Sequence, residues 1–241
     1  MTRRDKIECA KATMAKDRGC LVESFSQDKN LFFETDKQFF DIVSFGSNAV
    51  IHADRQILGW CEENFANTAP ERIMDDPNIF VIESKLREYG QKLSGEHIRF
   101  LRLNEDVRID PPTGFAFRIC EKDCIHELYG DKRFAHAFNY KNDVIAITAS
   151  VDGKICSIAA ADDNIPGFWQ IGIDTLPEYR GKGLAAYLVN KIAREIENRG
   201  IIPFYNTWGA NIASQRVAAA AGFSPVWVGF FSKKEDNPWK F

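Results

Sequence analysis

No stretch of the chain approaches the run of roughly 18 apolar residues that would cross a bilayer. The first residues contain no continuous apolar segment of the kind that marks a secretory signal. The sequence therefore predicts a cytoplasmic protein with no membrane partner. An excess of positive charge is also missing. Net charge is −3 and the sequence pI is about 5.9, so no global basic field argues for nucleic acid. Arg3, Arg4 and Lys6 are interrupted by Asp5 and Glu8 and read as a solvated helix start. Paired cysteine spacing is absent too. Cys9, Cys20, Cys61, Cys120, Cys124 and Cys156 outline no disulfide framework, and reduced thiols are expected. Cys120, Cys124, His126 and His136 match no familiar zinc spacing. Small buried thiols and surface histidines explain them better, so no metal is expected. There is no fixed-period repeat and no low-complexity linker. A Walker-type Gly-Lys-Ser/Thr and a Gly-x-Gly-x-x-Gly turn are both missing, which removes those nucleotide-binding folds.

What is present suits a soluble globular protein: 241 residues, 45% apolar and 27% charged, enough to bury a core in one large domain or two small ones. Up to about residue 110 the pattern is mixed α and β. Residues 6–16 favour a helix, and 39–45 and 49–53 read as strands around Gly46-Ser47-Asn48. Asp54 is a plausible N-cap for a helix with Ile57, Leu58, Cys61 and Phe65 on one face. Pro77-Asn78 breaks the chain, 79–93 reads as a second amphipathic helix, and 97–103 as a strand. Asp110-Pro111-Pro112-Thr113-Gly114 marks the best boundary, since two prolines exclude regular structure. Two parts are predicted, 1–110 and 115–241.

After the boundary the pattern changes. A helical region is expected over 119–139. Strands follow at 144–151, 154–161 and 168–175, the first two joined by the hairpin signal Asp152-Gly153. Next come a helix over 183–199 ended by Gly200, a strand over 201–207, a helix over 211–221 with Gly222 as its C-cap, and a strand over 224–231. The most informative stretch is Tyr179-Arg180-Gly181-Lys182-Gly183-Leu184-Ala185, between a strand and a helix. The N–H groups at a helix start have no intrahelical partners, and the helix dipole favours negative charge there. Glycines let the backbone approach a diphosphate where a Cβ would hold it off. An ordinary glycine-rich turn capping a helix is the competing reading.

The element order, with a glycine turn after the third strand, resembles the GNAT superfamily of acyl-CoA-dependent N-acetyltransferases. That family's phosphate signature is Gln or Arg, two residues, Gly, one residue, then Gly or Ala; here it stands as Arg180-Gly181-Lys182-Gly183-Leu184-Ala185. Leu176-Pro177-Glu178-Tyr179 looks like the family's strand-to-loop junction. Asn211-Ile212-Ala213-Ser214 and Ala221-Gly222-Phe223 look like its next helix and the turn into the last strand. The match covers about residues 115–235. The whole layout is similar to two-part bacterial members of the kind that includes zwittermicin-resistance acetyltransferases. The resemblance implies an α/β (α+β) fold, a GNAT-like mixed central sheet with flanking helices, preceded by a smaller α/β N-terminal domain. That first part would have an acceptor-binding or interaction role.

The resemblance further implies acetyl transfer from acetyl-CoA to a primary amine of a small molecule; the oligomeric state, monomer or homodimer, stays open. The diphosphate would rest on Gly181, Lys182, Gly183, Leu184 and Ala185, with Arg180 nearby. The pantetheine arm would pair with Ile173, Asp174, Thr175 and Leu176. An N–H of Thr175 or Leu176 would hold the oxyanion, a contribution of about 3–4 kcal/mol. Asn211 and Ser214 are candidates for cofactor contact, or for capping their helix. The strand before the turn often carries a Glu or His base in this family, but this chain has Phe168 and Gln170. The usual Tyr acid is replaced by Ala218. Tyr205 and Asp174 are the substitutes, as proton donor to the thiolate and as ammonium or proton partner; a core aromatic and a strand-end polar residue are their alternatives. Asp123, Glu127, Asp131 and His136 would line an acceptor cleft or form a solvated face. Two other functions stay open: a non-catalytic acyl-CoA sensor, and a transferase using a different acyl-CoA.

Overall fold

The computed structural model describes residues 1–94 and 97–235, so the end of the expected second part, 236–241, lies outside the described residues. In chain order the elements are α1 (Arg3–Arg18), β1 (Leu31–Glu34), β2 (Phe40–Ser44), β3 (Ala49–Ala53), α2 (Arg55–Phe65), α3 (Pro70–Ile73), α4 (Asn78–Arg87), β4 (Gln91–Leu93), β5 (His97–Arg102) and β6 (Ala116–Glu121). Then follow α5 (Lys122–Ile125), β7 (Asp143–Val151), β8 (Lys154–Ile165), β9 (Phe168–Thr175), α6 (Leu184–Asn198), β10 (Ile202–Thr207), α7 (Ile212–Ala220) and β11 (Phe223–Lys234). Short 3-10 turns lie at Val22–Ser26, His126–Leu128, Lys132–Ala137 and Pro177–Tyr179. The chain forms two compact units. One holds Met1–Lys6 with Arg99–Pro225, and the other Ile7–Ile98 with Val226 onward.

In the second of these units β1 runs parallel to β3, β2 antiparallel to β3, and β11 antiparallel to β2. β4 pairs with the far end of β11. Asp54 caps α2 as its position suggests, its carboxylate accepting the Gln56 N–H at 2.9 Å. Ile57, Cys61 and Phe65 of α2 then meet Phe40, Ile42 and Ile51 in one core with Ile82 and Leu86 of α4. The helix expected over 79–93 ends at Arg87. Gly90, at φ +64°, turns the chain, and 91–93 becomes strand β4. On the other side of β2–β3, Asp41 takes a bidentate contact from Arg18 at 2.5 and 2.9 Å. Its cross-strand neighbour His52 is buried against Phe33, and neither ring nitrogen has a hydrogen-bond partner among the described residues.

In the first unit the strand order is β5-β10-β9-β8-β7-β6. The β7–β8 hairpin turns at Asp152 and Gly153, both at positive φ (49° and 74°), as a tight primed turn requires. The helical region expected from 119 begins instead as β6, with Ile119 opposite Ile147. Strand pairing with β7 outweighs the local helical spacing of Cys120 and Cys124, and only short α5 and the 3-10 turns follow. Phe134 and Ala137 of the last turn pack on Ile158 and Ala160. α6 also packs on β7, β8 and β9. Its buried Leu184, Leu188, Ile192 and Ile196 recur at helical spacing.

Fully buried Arg102 ties this unit together. It donates to the carbonyls of Ala221 (3.2 Å) and Val107 (2.9 Å) and pairs with the Glu197 carboxylate. Lys6 joins Glu197 (2.9 Å) and the Arg102 carbonyl (2.8 Å).

Candidate functional site

The site is built within the first unit, where β9 hands over to α6. A 3-10 turn at Pro177–Tyr179 reverses the chain, and Arg180 folds back so that its Nε donates to the Thr175 carbonyl at 3.1 Å. Gly181 and Gly183 both lie in the left-handed region, at φ +75° and +78°. Glycine adopts this conformation without strain. Gly183 is the N-cap of α6 and offers no side chain to the helix start. The first intrahelical bond received here runs from Tyr187 N–H to the Gly183 carbonyl at 3.0 Å. The N–H groups of Gly181, Lys182, Gly183, Leu184, Ala185 and Ala186 have no acceptor among the described residues. Gly181, Lys182 and Gly183 are solvent-exposed. A Cβ added at Gly181 would meet nothing within 4 Å; at Gly183 the nearest atom is Pro112 Cγ at 3.8 Å. The helix mouth is therefore open. It is a concave run of donors with a positive dipole end, the arrangement that binds phosphate. Lys182 adds a cation, resting 5.0 Å above the Tyr179 ring.

An open strand edge leads away from this mouth. β9 and β10 pair in parallel from Ile202↔Phe168 to Tyr205↔Ile171, where their register ends. β9 continues to Thr175 and β10 to Thr207, so the two strands part in a split. Backbone polar groups alternate sides along a strand. Leu176 N–H donates to the Cys156 carbonyl at 2.9 Å, and the Asp174 carbonyl accepts from Ser157 Oγ at 2.9 Å; both point to β8. By alternation Ile173 and Thr175 turn their backbone groups to the split. Of the two oxyanion donors the sequence suggested, Leu176 N–H is therefore committed to β8, and Thr175 N–H faces the opening.

The remaining predicted residues fall on two sides of the sheet. Tyr205 is 2% exposed, and its hydroxyl shares a 2.6 Å hydrogen bond with Ser214 Oγ of α7. Burial raises the Tyr205 pKa, partly offset by that bond. Ala218 lies one turn beyond Ser214, on the same side of α7. Asn211 is the N-cap of α7, its Oδ1 accepting the Ser214 N–H at 3.2 Å. Asp174 shares a sheet face with Ile158, its cross-strand partner, beneath the 3-10 turn. Its Oδ2 accepts the N–H groups of His136 (2.7 Å) and Ala137 (3.1 Å). Desolvation raises its pKa against those bonds.

Gly172 allows this close packing: a Cβ there would come within 2.7 Å of the Ala137 carbonyl oxygen. Asp131 is paired with Arg133 at 2.6 Å, while Asp123 of α5, Glu127 and His136 are exposed. Among the described residues no three His, Cys, Asp or Glu side chains gather as a metal site.

Sequence reading missed Ser157, Asp162 and Thr207. Ser157 braces the end of β9 through Thr175 Oγ1 (2.7 Å) and the Asp174 carbonyl. Asp162 lies opposite Gln170 on β9 and is buried; desolvation, then nearby Asp143, raises its pKa. None of the three was marked by a motif, because strand register is what positions them.

The family model described as GNAT acetyltransferase matches residues 29–226. The chain belongs to the GNAT acetyltransferase family. The match reaches well into the N-terminal part, beyond the 115–235 stretch on which the resemblance was first visible. No curated protein sequence matches the chain significantly. Solved structures of similar fold include a GNAT-family protein from Novosphingobium aromaticivorans, 19% identical, covering 59% of this chain and 66% of that one, with a TM-score of 0.46. Another is a GNAT-family acetyltransferase from Colwellia psychrerythraea, 14% identical, covering 59% of this chain and 57% of that one, with a TM-score of 0.45. The aminoglycoside N-acetyltransferase AAC(6')-Iy, solved in complex with CoA, is 22% identical, covering 49% of this chain and 93% of that one, with a TM-score of 0.38. This GNAT chain thus spans less than two thirds of the length of the first two. No helix among the described residues is long and apolar enough to cross a membrane.

Proposed function

We propose that the protein transfers an acetyl group from acetyl-CoA to a primary amine of a small molecule. The observation that carries this reading is the run of acceptor-free N–H groups at the mouth of α6, contiguous with the open edge of β9. The pyrophosphate rests on the amides from Gly181 to Ala186, with Arg180 and Lys182 supplying charge. The pantetheine arm follows Ile173 and Thr175 along the split. The neutral amine attacks the thioester carbonyl, the C–N bond forms, and a backbone N–H of β9 that faces the split stabilises the oxyanion. The tetrahedral intermediate collapses with cleavage of the C–S bond. Tyr205, a phenol that is protonated at neutral pH as tyrosines ordinarily are, delivers a proton to the departing thiolate and is reprotonated through Ser214. Asp174 draws the acceptor's ammonium toward the sheet and takes up its proton. Much of the acceleration comes from holding amine and thioester together.

Calorimetric titration with CoA and acetyl-CoA, followed by thiol release with a panel of primary amines, tests this. Binding with turnover on at least one amine supports it; failure to bind either coenzyme overturns it. Gln170 and Ala218, where relatives often carry base and acid, favour a second reading as a non-catalytic acyl-CoA sensor. Tight binding without turnover on any amine would establish that reading. A panel of longer acyl-CoA donors separates acetyl transfer from transfer of another acyl group.

A further inference from the structure

Cys120 and Cys124 take no part in the acetyl transfer described above, yet the fold brings their thiols together. Cys120 is in the last turn of strand β6, opposite Ala146 of β7, and Cys124 lies in α5, which packs on both strands. Between them Glu121 is extended, so the chain changes direction here. The Cys124 thiol donates to the Glu121 carbonyl at 3.2 Å, which turns its sulfur back toward the end of β6. Cys124 also packs against the apolar cluster that contains Cys120. Burial pushes the Cys120 thiol up, and the adjacent Cys124 pushes it further. The two differ in access: Cys120 is 1% exposed and Cys124 is half-buried. An accessible thiol thus lies against an enclosed one.

We propose that Cys120 and Cys124 form a redox-modification site, a dithiol that a low-molecular-weight disulfide such as oxidised glutathione converts to an intramolecular disulfide. Cys124 alone has to meet the reagent. Its thiolate attacks one sulfur of the oxidant, that S–S bond breaks, and one glutathione thiolate leaves. Cys124 now carries a mixed disulfide. The Cys120 sulfur then attacks the Cys124 sulfur and expels the second glutathione thiolate. The two protein thiols give up two electrons, the oxidant is reduced to two thiols, and the protons lost by Cys120 and Cys124 end on the two leaving groups. Burial makes Cys120 a poor nucleophile toward anything in solvent, but its target is the neighbouring sulfur, and proximity offsets that handicap. The link joins the end of β6 to the first turn of α5, within the cluster that also holds Phe134 and Ala137.

The test incubates the whole protein with oxidised glutathione, quenches with acid, digests with trypsin in the absence of reductant and reads the products by mass spectrometry. Trypsin cuts after Lys122, between the two cysteines, so peptides 119–122 and 123–132 stay together only if a disulfide joins them. The expected product is that linked pair, in roughly tenfold or greater excess over peptide 123–132 carrying glutathione, and dithiothreitol separates it. In Cys120→Ala the glutathionyl group stays on Cys124. In Cys124→Ser, Cys120 is modified at least about tenfold more slowly than Cys124 is in Cys120→Ala. The parent arm involves no substitution, so it decides the matter even if a variant fails to fold. A glutathione adduct that persists on Cys124 of the parent without the link, no reaction at Cys124, or equal reactivity of Cys120 in Cys124→Ser overturns the assignment.

Discussion

Gly183→Asp separates the proposed anion site from the fold. The backbone at this position is left-handed, at φ +78°, and an L-residue there costs roughly 1–2 kcal/mol. Space is not the problem, since the nearest atom to a new Cβ is Pro112 Cγ at 3.8 Å. A carboxylate in the first turn of α6 also gains about 0.3–1 kcal/mol from the helix dipole. The net loss of stability is therefore about 1 kcal/mol, a few degrees in melting temperature.

Binding responds far more. The new carboxylate faces the N–H groups that the pyrophosphate would use, and it sits within about 4 Å of a doubly charged group. At an effective dielectric of about 20, one such pair repels by about 4 kcal/mol, and screening by solvent removes part of it. A loss of at least a hundredfold in CoA affinity is expected, roughly 2.7 kcal/mol. Thermal unfolding and calorimetric titration with CoA read the two quantities separately. A variant that melts within a few degrees of the parent and binds CoA with the parent's affinity refutes the helix-mouth site.

Tyr205→Phe should lower kcat at least tenfold with CoA affinity nearly unchanged; an unaltered rate removes the phenol from the reaction. His52 gives the protein an acid sensitivity. Burial lowers its pKa to about 4, so below the unfolded value near 6.5 the unfolded chain binds a proton that the native state refuses. Stability should fall by about 2 kcal/mol between pH 6.5 and 5 from this group. Urea unfolding should show a shallower fall in His52→Leu, and parallel curves would contradict the assignment. Arg102→Ala should destabilise by about 3–5 kcal/mol, because it leaves the Ala221 and Val107 carbonyls without this donor and opens a cavity. A midpoint within experimental error of the parent's would show that the network is dispensable.

The chain by itself determined those features whose causes are local. The turn at Asp152-Gly153, the cap at Asp54 and the spacing of Leu184, Leu188, Ile192 and Ile196 follow from backbone preference and periodicity over a few residues. The glycine mouth of α6 belongs with them, because the run of unpaired amides is a property of any helix start that lacks a capping side chain. Tertiary structure decided what depends on distant neighbours. Residues 116–121 became a strand because β7 offered a partner. Leu176 N–H was taken by Cys156, twenty positions away in sequence, which left Thr175 facing the split. Tyr205 met Ser214, and Asp174 met the amides of His136 and Ala137. Such pairings are set by which strand lies beside which and where two strands part. No window of adjacent residues encodes that geometry; only the packed sheet does.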